Sequence, residues 1–343
     1  MIIVRKLMGY GLLVLVVALG GAWFKFDSYK DAPLSGSDEV VYYTVKPGSS
    51  VKTIAKALAA ENIIEHPRLF EWFARLEGLA QRIQVGEYAI DGDMTPRQLL
   101  SDMVTGKVVQ YPMTIIEGWN FKQLRAFLAQ NEALQHTLEG LSDAQVMSKI
   151  GFPGEHPEGR FLPDTYHFPR GTTDVAFLKR AHQMMDEKLA QLWEARAEGL
   201  PIKTPYQALI LASIIEKETG LASERPEIAG VFVRRLRKGM RLQTDPTVIY
   251  GMGELYQGNI RRRDLRRDTP YNTYTRHGLP PTPIALPSAA AIEAALNPLA
   301  GETFYFVARG DGSHAFSVTL VEHNNAVIKY QLKGRKRAFS SNP

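Results

Sequence analysis

Apolar and polar positions recur along this chain with periods that change from segment to segment, and the changes mark out its elements. Leu7 to Phe24 is an uncharged run of 18 residues that includes Leu12-Leu13-Val14-Leu15-Val16-Val17, with Arg5 and Lys6 before it and Trp23 at its far edge. As a helix, such a run reaches across a bilayer, and its basic flank stays on the cytoplasmic side. Gly20-Gly21-Ala22 also has the small residues of a cleavage site, so a cleaved signal peptide is the alternative. Both readings export the rest of the chain. Asp27 to Glu39 is polar, contains Pro33, Ser35 and Gly36, and reads as a linker.

Val40-Val41-Tyr42-Tyr43-Thr44-Val45 has strand composition, and Pro47-Gly48 is a turn signal. Ser49 or Ser50 then caps a helix whose apolar positions Val51, Ile54, Ala55 and Leu58 recur at helical spacing. A second helix opens at Pro67 and should bury Leu69, Phe70, Phe73 and Leu76. A strand follows near Val85 to Ile90, and Thr95-Pro96 starts a third helix with Leu99, Leu100 and Met103, ending at Gly106. Val108 to Ile116 again reads as a strand, and Asn120 caps a helix burying Phe121, Leu124, Phe127 and Leu128. Gly151 to Thr172 is a long loop rich in glycine, proline and aromatics, a kind that is usually functional within a compact domain. Helices are expected from Val175 to Ala197, from Pro205 to Glu218 and from Arg225 to Lys238; turn residues dominate Leu242 to Pro287. The chain closes with strand-like Thr303 to Ala308, a turn at Gly310-Asp311-Gly312-Ser313, strand-like Ala315 to Leu320 and a helix from about Glu322.

One of these helices carries a conflict. Ala208, Leu209, Leu211, Ala212, Ile214 and Ile215 are apolar over too wide an arc for a surface helix, which implies burial, yet its last turn holds Glu216 and Glu218. Carboxylates there face the negative end of the helix dipole. Glu218 follows Leu211, Ile214 and Ile215 by seven, four and three residues and so shares their face, whereas Glu216 projects to the other side. Desolvation and the dipole both disfavour ionisation of Glu218, so it is a candidate general acid. The alternative is a structural ion pair with Arg225, Arg234 or Arg235.

Composition narrows the chemistry. The 343 residues suggest two folded units or one large one, and 45% hydrophobic with 22% charged residues suffice for a sizeable core. The charge of +5 suits an anionic polymer or a membrane surface, and no nucleic-acid recognition motif is present. The absence of cysteine excludes disulfides and thiolate chemistry. No histidine pair has helical metal spacing with an acid, so no metal or cofactor is expected; GxSxG, Walker and dinucleotide motifs are lacking too. Gln243-Thr244-Asp245 and Tyr271-Asn272-Thr273-Tyr274 combine amides, hydroxyls, a carboxylate and flat rings, as a sugar site requires, although Asp245-Pro246 also fits an ordinary turn and loop tyrosines often pack on a core. Arg261-Arg262-Arg263-Asp264-Leu265-Arg266-Arg267-Asp268 is either an anion-binding patch or a solvated, internally paired surface.

Two resemblances follow. Val45 to Ala55 resembles the opening of a LysM module, a small glycan-binding fold, though a plain β-α spacer has the same pattern. Glu216-Lys217-Glu218-Thr219, the stretch Met240 to Gly251 around Gln243-Thr244-Asp245-Pro246-Thr247, Tyr271-Asn272-Thr273-Tyr274 and Gly278-Leu279-Pro280-Pro281 closely resemble the endolytic murein transglycosylases of the YceG-like group. Glu117-Gly118-Trp119 and Phe161-Leu162-Pro163-Asp164-Thr165 match as well. Thr282-Pro283 and the rich arginine cluster depart from that pattern.

The resemblance implies an α+β protein with an N-terminal transmembrane helix, a small LysM-like β-α subdomain and a larger mixed α+β catalytic domain. The implied layout is a cytoplasmic N-terminus at 1–6, an anchor at 7–24, a linker at 25–39, the LysM-like subdomain at 40–107 and the catalytic domain at 108–343. It further implies lytic cleavage of peptidoglycan glycan strands in the periplasm from the inner membrane, with Glu218 as acid and then base, Gln243, Thr244, Asp245, Tyr271, Asn272, Thr273 and Tyr274 on the sugar, and peptidoglycan synthases or division proteins as candidate partners. The rivals are a hydrolase pairing Glu218 with Asp245 and a non-catalytic glycan-binding protein.

Overall fold

The computed structural model describes residues 2–34, 39–332 and 335, with side chains from Tyr10 onward. It is a mixed α+β structure that divides into two compact units, Met1–Tyr111 with His167–Gly171, and Pro112–Tyr166 with Thr172–Pro343.

In the first unit the apolar run lies on the helix Ile2–Lys30, whose segment Tyr10–Lys30, with mean hydropathy 1.5, is long and apolar enough to cross a membrane. This helix continues past Phe24 into the expected linker because its end finds partners: Phe26 and Tyr29 lie against the unit's core, and Lys30 pairs with Asp27 at 2.6 Å. Ser35 and Gly36 of that linker fall outside the described residues. Strand Val41–Val45 pairs antiparallel with Gly86–Ile90, setting Tyr43 opposite Tyr88. Helices Val51–Ala60, Pro67–Leu76 and Pro96–Thr105 start where the capping signals place them. Ser50 Oγ accepts from the Thr53 amide at 3.2 Å, Thr95 and Gln98 close a reciprocal box, and Gly106 at φ +72° ends the third helix. Ile54, Leu58, Phe70, Phe73, Leu99, Leu100 and Met103 form the core with both tyrosines. Leu76 departs from expectation: it is 69% exposed, because the inward stripe of its helix is Phe70, Phe73 and Ala74, and Leu76 shares the neighbouring stripe with Leu69 and Trp72.

The second unit is built around the helix Pro205–Glu218. Thr204 caps it through the Gln207 amide at 3.2 Å, and Pro205 occupies its first turn, where no amide hydrogen is needed. Every residue from Ala208 to Ile215 is buried, against helices Asp174–Glu194, Arg225–Arg237, Asp245–Met252 and Ala289–Leu296. Ser213, alone polar in that stretch, donates to the Ile210 carbonyl at 2.7 Å and accepts from the Ile284 amide at 3.0 Å, so its hydroxyl is satisfied. An antiparallel hairpin of Tyr305–Ala308 and His314–Ser317, covered by helix Leu320–Tyr330, completes the surroundings.

Among the described residues four α-helices lie where none was expected, a short one at Arg262–Arg266 and three whose local cause is plain. Asp143–Ile150 is closed by a capping box between Ser142 and Gln145, and Ala289–Leu296 is capped by Ser288 through the Ala291 amide at 3.1 Å. Asp245–Met252 begins with Asp245-Pro246, so this pair opens a helix instead of a turn. The last strand stops at Ser317 because Thr319 caps the final helix.

Ile214 has no exposed surface, so Ile214→Ala should lower the unfolding free energy by about 2–5 kcal/mol through lost burial and the cavity left behind. Leu255→Ala, at a residue 65% exposed, should change it by no more than about 0.5 kcal/mol. Equilibrium urea unfolding of both variants beside the parent checks the pair.

Candidate active site

The central helix ends at Glu218 because Thr219 is extended, at φ −143° and ψ 136°, and Gly220 follows. Glu218 is half-buried and opens into a cleft of about 460 Å³ that Arg235, Gln243, Asp245, Tyr274 and Tyr305 also line. Thr244 Oγ1 donates a short hydrogen bond to Glu218 Oε1. Burial pushes the carboxyl up to a pKa of about 7, and the negative charge of Asp245 pushes the same way; the Thr244 hydrogen bond, His314 and Arg235 oppose this less strongly. Orphan carbonyls at the helix end add negative potential at the same place.

Glu216 has a different task. Its side chain is 6% exposed, accepts from the Ser288 amide at 3.0 Å and the Ser288 hydroxyl at 2.5 Å, and pairs with Arg225 at 3.4 Å. The structural ion pair weighed for Glu218 therefore falls on Glu216, whose hydrogen bonds to Ser288 also tie the central helix to the cap of Ala289–Leu296. Arg225 reaches Glu117 as well, at 3.7 Å, and Lys217 Nζ donates to the Gly118 carbonyl at 3.1 Å. The Glu117-Gly118-Trp119 motif thus braces the end of the helix.

The sugar-binding expectations divide. Gln243 lines the cleft from a left-handed backbone, φ +52°, held there by its amide's bond to the Thr273 carbonyl at 3.1 Å; its Oε1 accepts from Arg235 Nη1 at 3.3 Å. Asp245 is exposed in the cleft and accepts from the Tyr274 hydroxyl at 2.6 Å, which brings those two side chains together. Thr244 is buried behind Glu218 and contacts it directly. Tyr271, Asn272 and Thr273 lie outside the cleft lining, and their polar groups have partners within the protein. Tyr271 sets its ring edge-on to Tyr250 and its hydroxyl 2.9 Å from that of Thr282. The Asn272 amide donates to the carbonyls of Asp264, Leu265 and Arg267. Thr273 is buried and accepts from the Thr244 amide at 3.1 Å, holding in place the loop that carries the bond to Glu218.

Sequence reasoning did not place Tyr305, His314 and His323 at the cleft, and it weighed Arg235 only as an ion-pair partner of Glu218. Arg235 lies on a helix of buried apolar residues and is itself 7% exposed; its guanidinium donates to the carbonyls of Phe304 and Leu242 at 2.7 and 2.9 Å and lies 5.1 Å from the Tyr305 ring centre. An arginine at a core-facing helical position was the available signal. His314 Nδ1 lies 2.7 Å from Glu224 Oε2 and its amide donates to Glu224 Oε1 at 2.8 Å. Burial alone would raise the Glu224 pKa, but these bonds hold it below the ordinary carboxylate value. The hairpin brought His314 and Tyr305 to the cleft from far along the chain, and no local pattern announces that.

The remaining motifs sit elsewhere. Phe161 stacks on Phe121 with ring centres 5.2 Å apart, and the Asp164 carbonyl accepts from the Ile115 amide at 3.0 Å. The arginine cluster lies along a separate cleft of about 510 Å³ and is partly paired, Arg263 with Asp264 and Arg276 with Asp268. Among the described residues, no group of three or more His, Asp or Glu is placed to hold a metal ion. Buried Glu158, pushed up to about 7 by burial, accepts from the Phe121 amide and the Tyr250 hydroxyl, both at 3.0 Å, and so ties its own loop to the start of the helix Phe121–Leu128 and to the helix Asp245–Met252.

Comparison with known proteins identifies the family. The chain is 30% identical over 329 residues to the endolytic murein transglycosylase of Bacillus subtilis, an alignment covering 91% of each. It is 26% identical over 335 residues to the endolytic murein transglycosylase of Streptococcus pneumoniae strain D39, covering 87% of this chain and 60% of that one. A crystal structure of a YceG-like protein from Listeria monocytogenes superposes with a TM-score of 0.52 at 29% identity, over 84% of this chain and 99% of that one. The profile of the YceG-like family matches residues 43–329, and the chain belongs to that family.

Proposed function

We propose that this protein is a lytic endotransglycosylase that cuts the β-1,4 bond between N-acetylmuramic acid and N-acetylglucosamine within nascent peptidoglycan strands, with Glu218 as its single acid and base. The observation that carries the reading is the Glu218 carboxyl, half-buried at the edge of a polar cleft and pushed up to a pKa of about 7, so that a large share of it is protonated near neutrality. The names of the B. subtilis and S. pneumoniae relatives support peptidoglycan as substrate and lytic chemistry as outcome. With Oε1 engaged by the Thr244 hydroxyl, Oε2 is the oxygen that carries the acid proton.

The reaction balances without water. Glu218 gives its proton to the glycosidic oxygen, which leaves as the 4-hydroxyl of N-acetylglucosamine while the C1–O bond breaks. The muramyl 6-hydroxyl attacks C1, forms the 1,6-anhydro bond and returns its proton to Glu218. Because the substrate supplies the nucleophile, no second carboxylate is needed, in contrast to a hydrolase. Gln243, Asp245 and Tyr274 offer an amide, a carboxylate and a ring to the sugars, and Thr244 positions the acid. Arg235 limits the rise in the Glu218 pKa and steadies the carboxylate once the proton has left.

The apolar helix supports anchoring in the inner membrane with the catalytic domain, residues 108–343, in the periplasm. The strand, turn and capped helix at Val41–Ala60 support a LysM-like role for residues 40–107, and peptidoglycan synthases or division proteins are the partners this location would offer.

Glu218→Gln should lower the rate of anhydro-product release from glycan strands by about 10²- to 10⁴-fold, and the parent's rate should fall as pH rises past about 7, where the acid ionises. Chromatography and mass spectrometry of the released ends read both; reducing ends carrying solvent oxygen would instead establish the hydrolase. Asp245→Asn should keep measurable activity, and its complete loss would make Asp245 the second acid.

The same carboxyl makes a stability prediction. Its pKa is higher folded than unfolded, so the native state binds the proton more tightly; its contribution is intact below about pH 4.5 and is lost as pH climbs through about 7. Relative to the parent, Glu218→Gln should therefore gain about 1–3 kcal/mol of unfolding free energy at pH 8 and little at pH 4.5, as measured by urea titrations at both pH values.

A further inference from the structure

The first unit presents a groove of about 690 Å³ whose two walls are the end of the apolar N-terminal helix and the helix Pro67–Leu76. Leu19, Trp23 and Phe26 line one wall, and Leu69, Trp72 and Leu76 line the other. The second wall is unusual for a helix of ten residues. Phe70, Phe73 and Ala74 already face the unit's core, and Leu69, Trp72 and Leu76, spaced by three and four, form a further apolar stripe outside it, with Trp72 59% and Leu76 69% exposed. Exposed large apolar side chains grouped in this way mark a surface that meets something other than water.

We propose that this stripe inserts into the outer leaflet beside the N-terminal helix, so that Pro67–Leu76 is a second, interfacial membrane contact and the groove is filled by phospholipid acyl chains. The proposal rests on reading Tyr10–Lys30 as a membrane anchor. Its own support is that the groove's first wall belongs to the spanning run: Leu19 and Trp23 precede the end of that run at Phe24, and from Leu19 to Phe24 a helix rises about 8 Å. Side chains packed alongside those turns share their depth, and interfacial helices lie about 5–10 Å into the headgroup and acyl boundary. The rim fits as well, since Lys25 and Arg68 sit at the same groove, where cationic groups on flexible stems reach lipid phosphates while a tryptophan occupies the boundary. This contact would hold the first folded unit flat against the membrane through two attachments in place of one.

Four tryptophans make the test direct, because Trp23, Trp72, Trp119 and Trp193 can each be left as the sole emitter by Trp→Phe substitution of the other three. The full chain carrying each single tryptophan is reconstituted into vesicles of phosphatidylethanolamine and phosphatidylglycerol, with and without bromine on the acyl chains. The Trp72-only protein is expected to lose more than about half of its emission to the brominated chains, as does Trp23-only, while Trp193-only keeps its emission. Quenching of Trp23 without quenching of Trp72 would overturn the proposal and leave the anchor standing, the result expected if the groove receives a protein partner instead. Loss of quenching at both would overturn the anchor and the proposal together. In a second arm, Leu69→Glu with Leu76→Glu should reduce the quenching of Trp72 and leave that of Trp23 unchanged; unchanged quenching of Trp72 counts against the proposal.

Discussion

A carboxyl at the C-terminal end of a buried helix is the constraint on which the rest of this site depends. Burial from Ala208 to Ile215 leaves the helix no freedom to rotate, and the dipole and the apolar surroundings both oppose a charge at its end. Such an end is unfavourable unless its polar groups are answered. Most of the polar interactions described around it are those answers: Glu216 meets Ser288 and Arg225, Lys217 meets Gly118, and Glu218 is left with one hydroxyl and an open cleft. The helix is thus secured by the residues that flank Glu218 and not by Glu218 itself. That division of labour lets Glu218 keep a raised pKa, since a direct ion pair would have lowered it.

The loop from Gln243 to Asp245 is the second half of the arrangement, and the segment Tyr271 to Tyr274 is its support. Thr273 holds the Gln243 and Thr244 amides, Thr244 bonds Glu218, and Tyr274 bonds Asp245. Asn272 fixes the support by donating to three carbonyls of the arginine-rich stretch. Positioning of this kind is what a buried hydrogen-bond network supplies, and its members rigidify one another only when all are satisfied. Thr273 and Asn272 are thereby tied into the network behind the residues that face the cleft.

The hairpin Tyr305 to Ser317 closes the cleft from a third direction. It brings His314 onto Glu224, just past the helix that ends at Glu218, and Tyr305 over Arg235. Arg235 joins the hairpin to the Gln243 loop, since one guanidinium donates to Phe304, Leu242 and Gln243. A planar fork with several donors is suited to that, and a lysine would not replace it.

Much of the local structure was legible in the sequence because its causes are local. Caps at Ser50, Thr95 and Asn120, the Pro205 start, the Gly106 stop and the 3.6-residue periodicity fix where helices start and which face is buried, and that periodicity alone separated Glu218 from Glu216. Local rules also misled where two patterns share one helix, as at Leu76, or where a cap hides in a turn-rich stretch, as at Ser288. What only the tertiary structure decided is which polar groups are left to face the cleft once the interior is satisfied. Asn272 and Thr273 have the chemistry of ligands, yet spend it on backbone and neighbouring hydroxyls; Arg235 and His314 reach the cleft through contacts that span tens of residues of chain. Hydrogen-bonding capacity is written in the residue type, but its partner is set by what folding brings within about 3 Å, and that distance is not a property of the sequence order.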